Sequence, residues 1–276
     1  MPANAETTDS FALDYFSSLK RIDVGKGQLI EGRANGRTTA ECPPILFVHG
    51  AFHGAWCYGL WIRELDRMQW PAAAIDIRGH GDVLPDEVFL DEGAEAFADD
   101  IVKAIAAMPS PPILVGHSLG GLLVGIAASC VQVAGLVLLA PSPPNQLAGA
   151  KVIPGVPEGA AIAVPDPERT VPWFFPRWKL EDIRPVLDRL TPESPVALND
   201  RLQLRVGVER ERIDAPALCI AAGLDDPDLH PEGQDEAIAA FYGADYLHLP
   251  NASHCFMVDP DWQVGLTAIL DWWRQC

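Results

Sequence analysis

The sequence predicts an α/β fold, with a mostly parallel central sheet and helices on both faces. Three observations predict it. Apolar runs of strand length alternate with segments of helical period over much of the chain. Those runs are continuous rather than alternating, as in strands buried on both faces. A glycine-flanked serine turn, Gly116-His117-Ser118-Leu119-Gly120, joins one such run to an apolar helix.

Residues 1–18 read as a loose or weakly helical lead-in, and 1–9 are polar with no secretory pattern. The segments 21–24 and 28–33 flank Gly25-Lys26-Gly27 and predict an antiparallel hairpin. Residues 45–48 form a short apolar strand after Pro43-Pro44. In 56–68, Trp56, Leu60, Trp61, Leu65 and Met68 recur at helical spacing. A buried strand follows at 72–77. In 93–108, Phe97, Ile101, Ile105 and Met108 share one helix face. The run at 113–117 enters the serine turn, a helix leaves it, and 135–140 is again a strand.

The pattern breaks at Pro141. Twelve of the 25 prolines lie between Pro141 and Pro195, together with Trp173, Phe174, Phe175 and Trp178. Proline lacks a backbone donor and interrupts regular elements, so 142–213 reads as an insertion of short helices and loops. The α/β alternation resumes with a strand at 217–222, a helix at 232–242 and a strand at 246–249. A closing helix carries Trp262, Leu266, Ile269, Leu270 and Trp273.

The formal charge is −18, from 38 acids against 20 bases. Such a surface argues against nucleic acid, which needs basic patches, and against an anionic membrane. No apolar run is long enough for a transmembrane helix. The six cysteines show no C-x-x-C spacing and read as reduced thiols of a cytoplasmic protein. The motifs imply no cofactor and no metal.

Gly116 to Gly120 has the Gly-x-Ser-x-Gly pattern of a nucleophile elbow, in which a tight turn lifts a serine above the sheet. Three further stretches share its setting after a strand: His49-Gly50-Ala51-Phe52-His53-Gly54-Ala55-Trp56, Gly223-Leu224-Asp225-Asp226-Pro227, and Pro250-Asn251-Ala252-Ser253-His254-Cys255-Phe256. On these residues the chain resembles the α/β-hydrolase fold of serine-esterase type. The HGxxHGxW stretch is similar to that of methyl esterases, hydroxynitrile lyases and related bacterial esterases.

The resemblance implies a core of 1–141 and 214–276 with 142–213 as a cap. It implies Ser118 as nucleophile, His254 as general base, and a triad acid in the loop after the 217–222 strand. A Gly-x-x-Asp spacing from Gly223 selects Asp226, with Asp225 the nearest competitor and Asp228 behind it. The backbone amides of Ala51 and Leu119 would form the oxyanion hole. Phe52, His117, Trp173, Phe174 and Trp178 are the candidate substrate contacts. Arg78, in the Asp76–Gly81 turn, reads as a structural tie.

The expected reaction is hydrolysis by water of a small, fairly hydrophobic carboxylic ester, thioester or lactone. The alternatives are a carbon–carbon hydrolase or lyase on the same triad, or a receptor of the same fold with little turnover. Similar hydroxynitrile lyases carry threonine where this chain has Ala51, and a lysine near the cap entrance. Lys151 and Lys179 are the lysines of the insertion, and nothing in the sequence places either at the site.

Overall fold

The computed structural model describes residues 9–34 and 38–276. Residues 1–8, which contain most of the polar lead-in, lie outside them. Eight strands form one sheet in the order β1-β2-β4-β3-β5-β6-β7-β8. They are β1 (Lys20–Val24), β2 (Gly27–Glu31), β3 (Ile45–Val48), β4 (Ala72–Asp76), β5 (Ile113–His117), β6 (Gly135–Leu139), β7 (Ala217–Ala222) and β8 (Asp245–Leu249). The first two form the expected hairpin, and β2 runs antiparallel to β4. All pairings from β4 through β8 are parallel.

The continuous apolar runs have a direct physical cause. In β3, Ile45 and Phe47 join the core on one face of the sheet, while Leu46 and Val48 join the core on the other. Neither set of side chains can be polar without burying an unpaired group. The first core holds α1 (Leu13–Ser17) through Phe16, α2 (Gly59–Arg67) through Trp61, Ile62 and Leu65, and α9 (Gln263–Trp273) through Leu266 and Ile269. Phe47 stacks on Tyr58 at 4.7 Å and meets Trp61 edge-on. The second core holds α3 (Ala94–Ala107), α4 (Leu119–Cys130) and α8 (Gln234–Tyr242). In α3, Phe97, Ile101 and Ala104 fall on the buried stripe.

The helix expected over 56–68 divides. Residues Ala55–Tyr58 form a tighter 3-10 turn, and α2 starts only at Gly59. Between β6 and β7 lie three short helices, α5 (Pro167–Phe174), α6 (Leu180–Leu187) and α7 (Pro195–Leu202). Proline opens α5 and α7, where a missing N–H costs nothing. Its isolated bridge, Ile162 to Glu193, is internal to the segment, which adds no strand to the sheet among the described residues.

The chain reverses its direction of travel across the sheet between β3 and β5, because β4 lies on one side of β3 and β5 on the other. Loops leaving the carboxyl ends of β3 and β5 therefore diverge and open a crevice. Among the described residues, no helix is long and apolar enough to cross a membrane.

Candidate active site

Ser118 sits at that crevice with φ 52° and ψ −119°. A residue other than glycine held at positive φ costs about 1–3 kcal/mol. Three backbone bonds hold it there. The Ser118 amide donates to the Leu139 carbonyl, and the Ser118 carbonyl accepts from Gly121 and Ser142, each at 2.9 Å. The flanking glycines are needed for close approach. A Cβ on Gly116 would stand 2.3 Å from the Gly120 oxygen, and one on Gly120 would stand 2.4 Å from the His49 oxygen.

The same crowding puts the β3 loop beside the elbow. Ala51 and Leu119 both line the cavity above Ser118, and neither backbone amide has an intraprotein hydrogen-bond partner among the described residues. The next amide is engaged: Phe52 N–H donates to Glu193 at 3.2 Å. The histidines of the loop are structural. His49 donates from Nδ1 to the Gly50 carbonyl and accepts the Ile77 amide at Nε2, which fixes a neutral tautomer. Burial pushes its pKa well down. His53 hydrogen-bonds the Ala51 carbonyl at 2.8 Å and lies 3.4 Å from the Cys255 sulfur. Burial lowers its pKa to about 4.

His254 enters on the loop after β8. Ser253 anchors that loop, donating its amide and hydroxyl to the buried Asp259 at 2.9 and 2.5 Å. The His254 carbonyl lies 3.0 Å from Nε2 of His117, and Cys255 N–H donates to the Phe174 carbonyl. The imidazole stacks on Phe174 at 5.6 Å. Its Nδ1 lies 2.6 Å from Oδ1 of Asp225, close but without in-line hydrogen-bond geometry.

Asp225, not the expected Asp226, therefore faces His254. The turn decides it. Gly223 N–H binds the Leu249 carbonyl and Leu224 N–H the Ala252 carbonyl, stitching the acid loop to the histidine loop one residue earlier than the Gly-x-x-Asp spacing assumes. Asp226 instead caps the following turn. Its carboxylate accepts the Asp228 amide at 2.8 Å, and its carbonyl accepts the amides of Leu229 and His230. Burial pushes the Asp225 carboxyl up, but His254, then His230 and Arg201, outweigh it and hold it below its ordinary value. A carboxylate that stays ionised can orient an imidazole and stabilise its cation.

The cavity over Ser118 and His254 has a volume of about 520 Å³ and is mostly apolar. Of the expected contacts, Phe52, Trp173 and Phe174 line it. His117 and Trp178 do not. His117 is buried beneath His254 and supports its backbone. Trp178 turns into the core, donating to the Val258 carbonyl and meeting Phe11 edge-on. Lys151 does border the cavity, 3.4 Å from the Asp228 carboxylate, a position that no motif marks.

Three polar residues escaped the sequence reading. Glu193 is fully buried, pairs with His80 at 3.0 Å and receives the Phe52 amide, tying the insertion to the β3 loop. Arg201 on α7 lines the cavity. His230 lies 3.8 Å from both Asp225 and Asp235. None sits in a motif; Glu193 and Arg201 reach partners far away in sequence, while those of His230 lie five residues to either side. Arg78 does act as a tie, gripping Asp100 on α3 with two 2.7 Å contacts.

The sequence pattern of the alpha/beta hydrolase family matches residues 45–266. Protein phosphatase methylesterase 1 of Bos taurus is 31% identical over 122 residues, 42% of this chain and 31% of that protein. Methylesterase 3 of Arabidopsis thaliana is 29% identical over 85 residues, 30% of this chain and 32% of that protein. The chain thus aligns with about a third of the length of these relatives. Among solved structures, the methylesterase protein MES16 from Arabidopsis superposes with a TM-score of 0.68 at 22% identity, covering 83% of this chain and 97% of that one. Polyneuridine aldehyde esterase gives 0.65 at 17% identity, covering 83% and 98%. The sheet order, the elbow between β5 and α4, and a family pattern spanning most of the sequence lead to one assignment: this chain belongs to the alpha/beta hydrolase family.

Proposed function

We propose that the protein is a serine-dependent carboxylic ester hydrolase acting through an acyl-enzyme on Ser118. The observation that carries this reading is the Asp225–His254 pair beside an elbow serine, under two unengaged amides. Neutral His254 takes the Ser118 proton as the hydroxyl attacks the ester carbonyl. The amides of Ala51 and Leu119 receive the oxyanion, each worth on the order of 3 kcal/mol in the transition state. His254 then protonates the leaving alcohol. Water enters, gives its proton to His254, and releases the acid. Ionised Asp225 stabilises the imidazolium in both steps.

Residues 142–213 serve as the cap, with Phe52, Trp173 and Phe174 offering an apolar wall to a small hydrophobic ester. The names of the methylesterase relatives agree with a small alkyl leaving group. Lys151 favours a second reading, a lyase on the same triad. Its ammonium is drawn to Asp228, and Ala51 offers no hydroxyl, so hydrolysis remains the better reading. The test is a panel of p-nitrophenyl esters of increasing acyl length, run beside Ser118→Ala. Turnover of the short esters, lost in the variant, supports hydrolysis. Absence of turnover with every ester would overturn it.

A further inference from the structure

Arg201 projects from the last turn of α7 into the cavity wall. Its neighbour Asp200 points the other way and accepts the Ala94 amide at the start of α3. Two contacts hold the guanidinium. Nε donates to the Ser142 hydroxyl at 3.3 Å, and a terminal nitrogen donates to the Leu229 carbonyl at 2.9 Å. Ser142 in turn donates its amide to the Ser118 carbonyl. The cation is therefore one residue removed from the elbow. No carboxylate forms an ion pair with it among the described residues. Asp225 acts on it only through its field.

A half-buried guanidinium without a counter-ion is a costly arrangement, since a charge drawn away from water is tolerated best when it is paired. Burial lowers the Arg201 pKa to about 10, which leaves it cationic at neutral pH. The remaining charges around the cavity do not neutralise it. Lys151 and Asp228 lie against each other, Asp226 is occupied with the Asp228 amide, and Arg169 lies over the Trp173 ring at 4.4 Å. The wall is otherwise mostly apolar. The guanidinium has five N–H donors, and its fork suits a carboxylate in particular.

We infer that the substrate is an ester that also carries a carboxylate, which docks on Arg201 while the ester carbonyl lies at Ser118. This rests on the esterase reading and narrows its substrate class. The test compares paired esters with and without a carboxylate, each rate taken relative to that ester's uncatalysed hydrolysis: p-nitrophenyl hemiglutarate against p-nitrophenyl valerate, and 4-acetoxybenzoate against phenyl acetate. The first pair places the carboxylate in the acyl part and the second in the leaving group. Wild type, Arg201→Gln and Arg201→Lys are assayed, with circular dichroism to show that each is folded.

In at least one pair the wild type should favour the anionic ester by tenfold or more in kcat/KM. Arg201→Gln should abolish that preference, chiefly through KM, and Arg201→Lys should restore part of it. Glutarate should also inhibit neutral-ester hydrolysis in wild type and lose potency in Arg201→Gln. A wild type that turns over neutral esters without preferring either anionic partner overturns the inference and leaves the esterase reading intact. So does an Arg201→Gln variant that loses both members of a pair equally, since the residue would then be structural. Absence of turnover with every ester removes both.

Discussion

His254 and Asp225 meet at 2.6 Å between Nδ1 and Oδ1, while the adjacent Asp226 spends its carboxylate on the Asp228 amide. Two neighbouring acids thus have separate tasks, one toward the imidazole and one toward the backbone of its own turn.

Asp225→Asn is expected to lower kcat on a p-nitrophenyl ester by about 10⁴, because an amide cannot hold the imidazole in its working tautomer or stabilise its cation. Asp226→Asn should retain most of the activity. Steady-state kinetics on the two variants check the assignment, and the reverse ranking would return the role to Asp226.

Gly120→Ala should be damaging although alanine is the better helix former. Its Cβ would press on the His49 oxygen at 2.4 Å and the Val48 oxygen at 2.7 Å, both backbone atoms. Overpacking of this kind costs about 1–3 kcal/mol. Urea denaturation reads the loss of stability. Ester turnover should fall with it, because the atoms displaced lead into the Ala51 loop.

His53 should make the protein sensitive to acid. Its folded pKa is lowered to about 4 by burial, from 6.5 in an unfolded chain. Below pH 6.5 the unfolded chain takes up a proton that the folded one refuses. Stability is therefore complete above pH 6.5 and falls as the pH drops toward 4, by about 3 kcal/mol at most. The difference in melting temperature between wild type and His53→Gln, followed from pH 7 to 4, should narrow or reverse as the pH falls. A constant difference contradicts this.

Glu193→Ala should unfold more easily by about 3 kcal/mol or more, as expected when one partner of a buried pair is removed. It leaves His80 and the Phe52 amide without their acceptor. Because Phe52 follows Ala51, kcat should also drop at temperatures where the variant is folded.

What the sequence made legible was local. Gly116, Ser118 and Gly120 announce themselves because the turn tolerates no other spacing of small residues, and β3 through β6 because burial on both faces removes polar residues. The small-residue loop of His254 marks it in the sequence, and the structure puts it on the cavity wall with Ser118. Asp225 was not separable from Asp226, since a one-residue difference in turn geometry depends on hydrogen bonds to Leu249 and Ala252. The orientations of Trp178 and His117 depend on neighbours distant in sequence, Phe11 and His254. Glu193 and Arg201 lie in the proline-rich insertion, where no period marks a buried face and a lone polar residue looks like any surface charge.

Whether Ser118 is a nucleophile activated by His254 and Asp225 is read from labelling with a fluorophosphonate and mapping of the adduct by mass spectrometry. A stoichiometric adduct on the Ser118 peptide is expected, absent in Ser118→Ala and much slower to form in His254→Ala. An unlabelled Ser118 in folded protein, or an adduct on another residue that survives in Ser118→Ala, would contradict that role.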